Sequence, residues 1–406
     1  MMSLILAGEV IFVPAFHPGR YFRTSLLEAF GIDNFQLGEA AAWYGVAAMI
    51  SYGLGGPLAD RFGTRPLMFG SLIATAAGSL YMATLPSLLG LKLLFAFWGV
   101  STIFAFWSPL VRATRELGGG LSQGRAFGIL DGGRGFVAWA IAAVSAEAIG
   151  RYLTPEAGSA GDAMRSVLVG YAVVTAAVAV IVWFGLPPEL DDLEDTGPQA
   201  DASQVFALLK NPRVWLLATI VLTAYCTYKT QDYYGQFTED IYGLDKQQSA
   251  RLTSSLTFLR IFAALGAGYL ADWRFGASRT VIACFGVLTL AFAGLYVAPV
   301  SSGYLPMAIA NVAVAWATGC GLRIYFSLLA ESGIPRSLTG TTTGMISLVG
   351  FTPDIFWPLL GGWYIASARD AGDVLPGYQR LWLTLAVISA VGFAAAALLR
   401  RQRPKS

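Results

Sequence analysis

Residues 55–66 read GGPLADRFGTRP, and residues 266–280 read GAGYLADWRFGASRT. Each stretch closes an apolar run and opens a tight turn before the next one. Gly56 and Gly268 are 212 residues apart, and so are Asp60 and Asp272. The same offset links Gly128 with Gly340 and Gly132 with Gly344, although with 46 glycines in the chain those two matches add little alone. A repeat of this length predicts two related halves. The second copy departs from the first: Trp273 stands where Arg61 stands, and one residue is inserted before Gly276.

The halves are built of apolar runs of helix length. They fall at 3–28, 38–58, 67–87, 90–112, 125–149, 167–186, 214–236, 248–271, 280–298, 304–330, 340–366 and 381–399, twelve in all. Each is near the ~20 residues that cross a hydrocarbon core. Period-two alternation is absent, which argues against a β-barrel. Composition agrees. Of 406 residues, 13% are charged and 55% hydrophobic, and the mean hydropathy is +0.59. Fifty-two charged side chains, gathered in short loops, do not make the wet surface of a soluble enzyme this size. The expectation is an all-α membrane protein of 12 transmembrane helices in two pseudo-symmetric six-helix bundles. The first run holds Glu9 and has no small-residue cleavage site, so it reads as a membrane helix and not as a signal peptide.

The longest charged break, 187–213, carries Glu189, Asp191, Asp192, Glu194, Asp195 and Asp201 between Pro187, Pro188, Gly197 and Pro198. It reads as a cytoplasmic linker joining an N-terminal bundle, 1–186, to a C-terminal bundle, 214–406. With the N-terminus inside, 14 of the 27 Lys and Arg fall in cytoplasmic loops, 7 on the other side and 6 within spans. That bias places both termini in the cytoplasm. The net charge of +2 points to no nucleic acid. Cys226, Cys284 and Cys320 sit apart in apolar runs and His17 is the single histidine, so no disulfide framework, metal site or cofactor is expected.

In the loop after the second run, Gly56, Asp60, Arg61, Gly63 and Arg65 follow the pattern G-x-x-x-D-R-x-G-x-R. With twelve runs and an acidic central linker, the chain resembles the major facilitator superfamily (MFS) over nearly its full length. The resemblance implies a transporter whose spans 1, 4, 7 and 10 line a central cavity, helped by 2, 5, 8 and 11. It also implies a gating loop at Gly56, Asp60, Arg61, Gly63 and Arg65, repeated at Gly268 and Asp272. The bland alternative is a basic hairpin that only sets topology. QGRAFGILDGGRG at 123–135 and TGTTTGMISLVGFTPDIFWPLLGGWYIAS at 339–367 further resemble YihN-like bacterial carriers, a branch discussed beside organic-anion and sugar-derivative uptake.

An ionisable group at membrane depth is costly unless paired or wetted, so intramembrane charges are the functional clues. They are Arg20 in the first span, Asp131 and Arg134 in the fifth, Lys229 and Asp232 in the seventh, Arg260 in the eighth, Arg323 in the tenth and Asp354 in the eleventh. Asp131 with Arg134, and Lys229 with Asp232, have the i,i+3 spacing of intrahelical ion pairs. Such pairs either neutralise each other or open when substrate or proton competes for one partner. Arg20 and Arg260 lack an acid at that spacing; they either bind a substrate anion or pair across helices with Glu9, Asp131 or Asp354. Arg20, Arg134, Tyr225, Lys229, Arg260 and Arg323 are the substrate-binding candidates. His17, Asp131, Asp232 and Asp354 are the proton-coupling candidates. His17 precedes Pro18 and Gly19, where a helix break is expected. Arg23 is expected to snorkel to the interface, Glu147 to be structural, and Tyr225, Tyr228, Tyr233 and Tyr234 to offer ring faces to an organic ligand.

These residues point to a secondary transporter of a small organic anion, monomeric and proton-coupled, in a bacterial inner membrane. A proton-coupled exporter of amphipathic or cationic compounds is the first alternative. A non-transporting receptor is the second. No GxxxxGK[ST] loop and no nucleophile–base grouping is present, so neither ATP-driven transport nor an enzyme is expected.

Overall fold

A computed structural model describes residues 1–118, 123–152, 159–191, 202–271, 276–334 and 339–402. Within these, the side chains of 53–62, 115, 118, 123–125, 127, 151, 152, 189, 191, 202–205, 264, 302, 330, 331 and 339–341 are not described. All the regular structure among the described residues is helical. The chain forms two compact units, one of Met1–Asp195, Asp232–Ile261 and Asp354–Ala366, the other of Thr196–Gln231, Phe262–Pro353 and Ser367–Ser406.

The first unit opens with α1 (Met2–Val10), α2 (Val13–Tyr21), α3 (Arg23–Phe30) and α4 (Asn34–Phe62). It continues with α5 (Thr64–Ala83), α6 (Leu88–Gly99), a π-helical turn at Val100–Phe104, α7 (Trp107–Gly118), α8 (Gln123–Tyr152) and α9 (Ala160–Gly185). Further along come α10 (Ala202–Lys210) and α11 (Pro212–Lys229), a 3₁₀ turn at Thr230–Tyr233, α12 (Tyr234–Tyr242) and α13 (Lys246–Leu270). The last are α14 (Ala277–Tyr296), α15 (Leu305–Gly321), a 3₁₀ turn at Leu322–Ser327, α16 (Leu328–Glu331), α17 (Thr339–Gly350), α18 (Pro353–Asp370) and α19 (Leu375–Arg401).

Among the described residues, eight helical stretches are long and apolar enough to cross a membrane: 64–83, 88–114, 128–150, 160–185, 277–296, 305–327, 342–370 and 375–401. A ninth forms if α1 and α2, bent by 60°, make one span. The chain is therefore an all-α, multi-pass membrane protein with eight to nine long apolar helices. The expected runs at 38–58, 214–236 and 248–271 are helical but differ in kind. The last ten residues of α4, 53–62, fall among the side chains that are not described. The seventh run is interrupted by the turn at Thr230–Tyr233, and α13 carries Arg251, Thr253, Ser254, Ser255, Thr257 and Arg260 along its length.

The break in the first run is not at His17. It falls at Ile11–Phe12, with Pro14 in the first turn of α2, where its missing N–H costs nothing. A second break comes at Phe22, whose φ of −132° and ψ of 33° leave the helical region. Pro18 stays inside α2.

Local geometry recurs at the repeat spacing, including one motif that the loop comparison did not show. Gly31 (φ 63°, ψ 36°) ends α3 and Gly243 (φ 72°, ψ 24°) ends α12, both left-handed and 212 residues apart. Two residues on, Asp33 and Gln36 bond reciprocally to each other's backbone N–H and start α4. Asp245 and Gln248 do the same before α13. These are capping boxes, each satisfying two orphan donors of a helix start. Gly63 (φ 74°, ψ 161°) joins α4 to α5, and Gly276 (φ 76°, ψ 154°) precedes α14. That backbone region is open almost only to glycine.

In the first unit the aromatic and aliphatic core runs through Tyr21, Phe22, Tyr44, Phe95 and Trp98 on one side, and Leu4, Ile11, Met68, Phe106 and Val182 on the other. The backbones of α4 and α18 touch. A Cβ on Gly45 would sit 2.6 Å from the Asp354 carbonyl, and one on Gly362 would sit 2.3 Å from that of Asn34. Small residues at such crossings replace hydrophobic drive with close packing. In the second unit α14 packs on α15 and α19, and α11 on α17 and α19. Gly276→Ala should destabilise the purified protein by about 1–3 kcal/mol, from the backbone alone. Gly70→Ala, in α5 with open space at its Cβ, should be neutral or slightly stabilising. Thermal melts in detergent check this; equal losses in both would sink the assignment of strain.

Candidate functional site

Four helices of the first unit bring charge into its interior. Glu9 is one residue from the end of α1, His17 lies in α2, Asp131 and Arg134 are one turn apart on α8, and Arg260 is on α13. The Glu9 Oε2 lies 3.3 Å from Arg134 Nε and 3.8 Å from Arg260 Nη1. Arg260 Nη2 donates to Asp131 Oδ1 at 2.9 Å, and Arg134 Nη1 lies 3.9 Å from the same oxygen. His17 Nε2 is 4.0 Å from Glu9 Oε1, and the His17 ring meets Tyr21 and Tyr171 edge-on.

The cluster is dry except at one corner. Glu9, His17, Arg134 and Arg260 are buried, while the Asp131 side chain is 28% exposed. Two guanidiniums face two carboxylates. Room for them comes from small residues. A Cβ on Gly8 would sit 3.2 Å from the Arg134 side chain, and Gly135 lies beside the stem of Arg260. Phe12 places its ring 5.7 Å from the Arg134 guanidinium.

Arg20, on α2, donates from Nε to Asp232 Oδ1 at 3.0 Å. Between Lys229 and Asp232 the chain passes from α11 into the 3₁₀ turn at Thr230–Tyr233. Arg23 does not reach an interface. It is buried, donates to Asn34 Oδ1 at 2.8 Å and lies 4.5 Å over the Tyr233 ring. Tyr233 and Tyr234 are buried as well, and the Tyr233 hydroxyl donates to the Pro358 carbonyl. Neither offers an open ring face. Asp354, in the first turn of α18, is held against Gly45 of α4.

One end of this unit is tied by polar contacts of α12 and α13. Lys246 pairs with Glu28, and Arg251 donates two hydrogen bonds of 2.6 and 2.8 Å to Glu147. Tyr21 and Thr257 share a hydroxyl hydrogen bond of 2.9 Å. Glu239 of α12 lies beside this group, and burial pushes its carboxyl above the ordinary range.

The second unit holds the remaining candidates. Tyr225 and Tyr228 of α11 stack at 5.8 Å, Tyr228 stacks on Trp316 at 5.8 Å, and Phe351 meets Tyr225 edge-on at 4.9 Å. The Arg323 guanidinium lies 5.4 Å over the Tyr228 ring. Lys229, at the end of α11, is buried. Trp316 and Phe351 belong to this aromatic row by tertiary contact alone, since neither is near α11 in sequence. Of the gating-loop residues, Gly56, Asp60 and Arg61 have undescribed side chains and Asp272 lies outside the described residues. Gly63 takes its glycine-only conformation, Arg65 stacks over Trp183 at 5.7 Å, and Gly268 has open space at its Cβ. Among the described residues, no group of three or more His, Cys, Asp or Glu is placed to hold a metal ion.

Apolar helices of spanning length around buried ion pairs define a multi-pass membrane protein. The chain belongs to the Major Facilitator Superfamily, whose profile matches residues 3–358. Its function is secondary transport by an alternating-access fold. It is 24% identical to the inner membrane protein YqcE of Escherichia coli over 89% of this chain and 85% of that protein. It is 25% identical to the inner membrane protein YihN of Escherichia coli over 97% of this chain and 92% of that one. Among solved structures it is similar to the nucleoside transporter NupG, with a TM-score of 0.72 at 15% identity and 99% of each chain covered. It is also similar to a bacterial homolog of the human lysosomal transporter Spinster in an inward-facing, unoccupied conformation. There the TM-score is 0.70 at 15% identity, with 100% of this chain and 96% of that one covered.

Removing Arg260 leaves the Glu9 and Asp131 carboxylates short of a counter-charge, a loss far larger than that of a surface pair. Arg260→Ala should therefore lower the melting temperature sharply, and Asp131→Asn in the same chain should restore part of it. The double-mutant cycle should give a coupling of about 1–3 kcal/mol; strict additivity would show that the two side chains do not interact. The raised carboxyl of Glu239 contributes stability at low pH, and that contribution fades as the pH climbs above the ordinary 4.5. Glu239→Gln should flatten the fall in melting temperature over that rise; an unchanged pH profile would contradict this.

Proposed function

We propose that this transporter carries a small organic anion, bearing a carboxylate, phosphate or sulfonate, across a bacterial inner membrane, by proton symport. The observation that carries this reading is the buried pair Arg134 and Arg260, two guanidiniums that share carboxylate partners at 2.9–3.9 Å. A guanidinium fork suits oxyanions, and a pair of them suits an anion with two or more oxygens. Arg20 adds positive charge in the same unit, and Lys229, Arg323 and Tyr225 are the substrate-binding candidates of the second unit. His17, Asp131, Asp232 and Asp354 are the groups through which protons would be counted. The names of the two Escherichia coli relatives agree with the inner membrane, and the segments at 123–135 and 339–367 favour the YihN-like branch.

Two six-helix bundles, 1–186 and 214–406, joined by the linker 187–213, would rock about the site, with both termini in the cytoplasm and one chain sufficient for function. The recurrence at 212 residues of Gly31 with Gly243 and of the Asp33 and Asp245 capping boxes supports the duplication. The loop residues Gly56, Asp60, Arg61, Gly63 and Arg65, with Gly268 and Asp272, would open and re-form as the bundles rock.

Binding of the purified protein to monocarboxylates, dicarboxylates, sugar phosphates and sulfonated sugars, at about pH 6 and about pH 7.5, tests the reading. A ligand should emerge, and its affinity should fall at least about tenfold, about 1.4 kcal/mol, in Arg20→Ala and Arg260→Ala. Unchanged affinity in both would remove these arginines from the site. A blank panel beside strong binding of lipophilic cations would favour an exporter, for which Glu9, Asp131, Asp232 and Asp354 supply the acidic groups.

A further inference from the structure

The second unit holds two stacks of aromatic rings, and they differ in what surrounds them. In the first, Trp382 of α19 stacks with Phe292 of α14 at 6.2 Å and with Tyr378 at 6.4 Å. All three are 1% exposed or less, so this stack is packing. The second runs from Phe351, at the end of α17, through Tyr225 and Tyr228 of α11 to Trp316 of α15. The Tyr225 and Tyr228 planes differ by 24°, and those of Tyr228 and Trp316 by 27°. Trp316 is buried, but Phe351, Tyr225 and Tyr228 are only half-buried. Arg323, also half-buried, holds its guanidinium 5.4 Å over the Tyr228 ring, inside a helical stretch, 305–327, that is long and apolar enough to span. An ionised group at that depth turns to a wet cavity or to protein, not to hydrocarbon. Lys229, one turn on from Tyr225, is buried. The helices α11, α14, α15 and α17 contain no Asp or Glu, so the charge they bring inside is positive. Trp316 Nε1 is buried and meets no acceptor among the described residues, a cost that an acceptor on a ligand would remove.

We propose that the substrate of this transporter is an aromatic anion, a flat ring bearing a carboxylate, phosphate or sulfonate, and that the row in the second unit is where its ring is read. The ring lies against the open surfaces of Tyr225 and Phe351 and lengthens the row by one member. The anionic group takes its counter-charge from Arg323 and Lys229, and Trp316 Nε1 donates to one of its oxygens. Stacked and edge-on aromatic pairs attract beyond what their buried area supplies, so the row favours a flat ring over a saturated one of the same skeleton. The charge of this ligand rests on the anion reading above; its ring does not.

Calorimetry on the full-length protein in detergent tests this with three probes of one skeleton: 2-naphthoate, its saturated counterpart decahydro-2-naphthoate, and the neutral 2-naphthamide. The saturated ring is the bulkier and more apolar, so burial alone would favour it. Instead, 2-naphthoate should bind the wild type at least about fivefold tighter than decahydro-2-naphthoate. Tyr225→Leu should erase that ratio and Tyr225→Phe should keep it. Arg323→Gln should weaken both carboxylates by a similar factor and leave the ratio in place. Equal binding of the two carboxylates by the wild type, a comparison that needs no variant to fold, overturns the aromatic class and leaves the anion reading standing. Tighter binding of glucose 6-phosphate than of 2-naphthoate overturns it in the same way. Naphthamide binding as tightly as naphthoate overturns the charged half and the anion reading with it. A ratio that survives Tyr225→Leu and the matching Phe351→Leu shows that the ring is read elsewhere and overturns the site, and no binding of either naphthyl probe overturns the whole.

Discussion

Two guanidiniums inside a bundle of apolar helices set the terms for the rest of the first unit. A buried charge without a counter-charge is expensive, and removing one partner of a buried pair costs more than the pair itself contributes. Arg134 and Arg260 therefore require Glu9 and Asp131, and the four groups require space among packed helices. Gly8 supplies part of it, since a Cβ there would sit 3.2 Å from the Arg134 side chain. The bend at Ile11–Phe12 follows directly after Glu9, so the helix carrying the shared carboxylate ends where that carboxylate is used.

A second pair of opposite charges lies in the same unit. Arg20 and Asp232 lie 212 residues apart, the spacing that relates the two glycine turns and the two capping boxes, and share a 3.0 Å hydrogen bond. Nearby, Arg23 lies over Tyr233, and Tyr21 bonds Thr257.

Much of the architecture was legible because membrane helices write their length in apolar residues. The runs from 67 to 186 and from 280 to 399 correspond to helices long and apolar enough to span. The repeat was legible in Leu-Ala-Asp and less so in Gly-Ile-Asp against Gly-Leu-Asp, since short turn motifs are common by chance. The breaks were not. Pro18 reads as the breaker yet stays inside α2, whereas the proline that follows the break at Ile11–Phe12 is Pro14, in the first turn of α2. Arg23 reads as a snorkelling residue because its depth alone was visible, and its burial against Asn34 and Tyr233 depends on a helix eleven residues on and another on α12's side of the chain.

By itself the sequence determined the class of solvent, the place and rough length of the eight long apolar helices, and the short set of ionisable residues that must be satisfied inside. These follow from local composition and spacing, since lipid selects apolar length and tolerates few charges. Tertiary structure decided which charge meets which. The spacing of Asp232 and Lys229 suggests one pair, while the bond from Arg20 to Asp232, across 212 residues, appears only in the folded chain. Glu9 becomes the shared carboxylate of two arginines that are 125 and 251 residues away in the chain. Ion pairing acts over a few ångströms, and such distances between helices are set by packing, which no local stretch of sequence encodes.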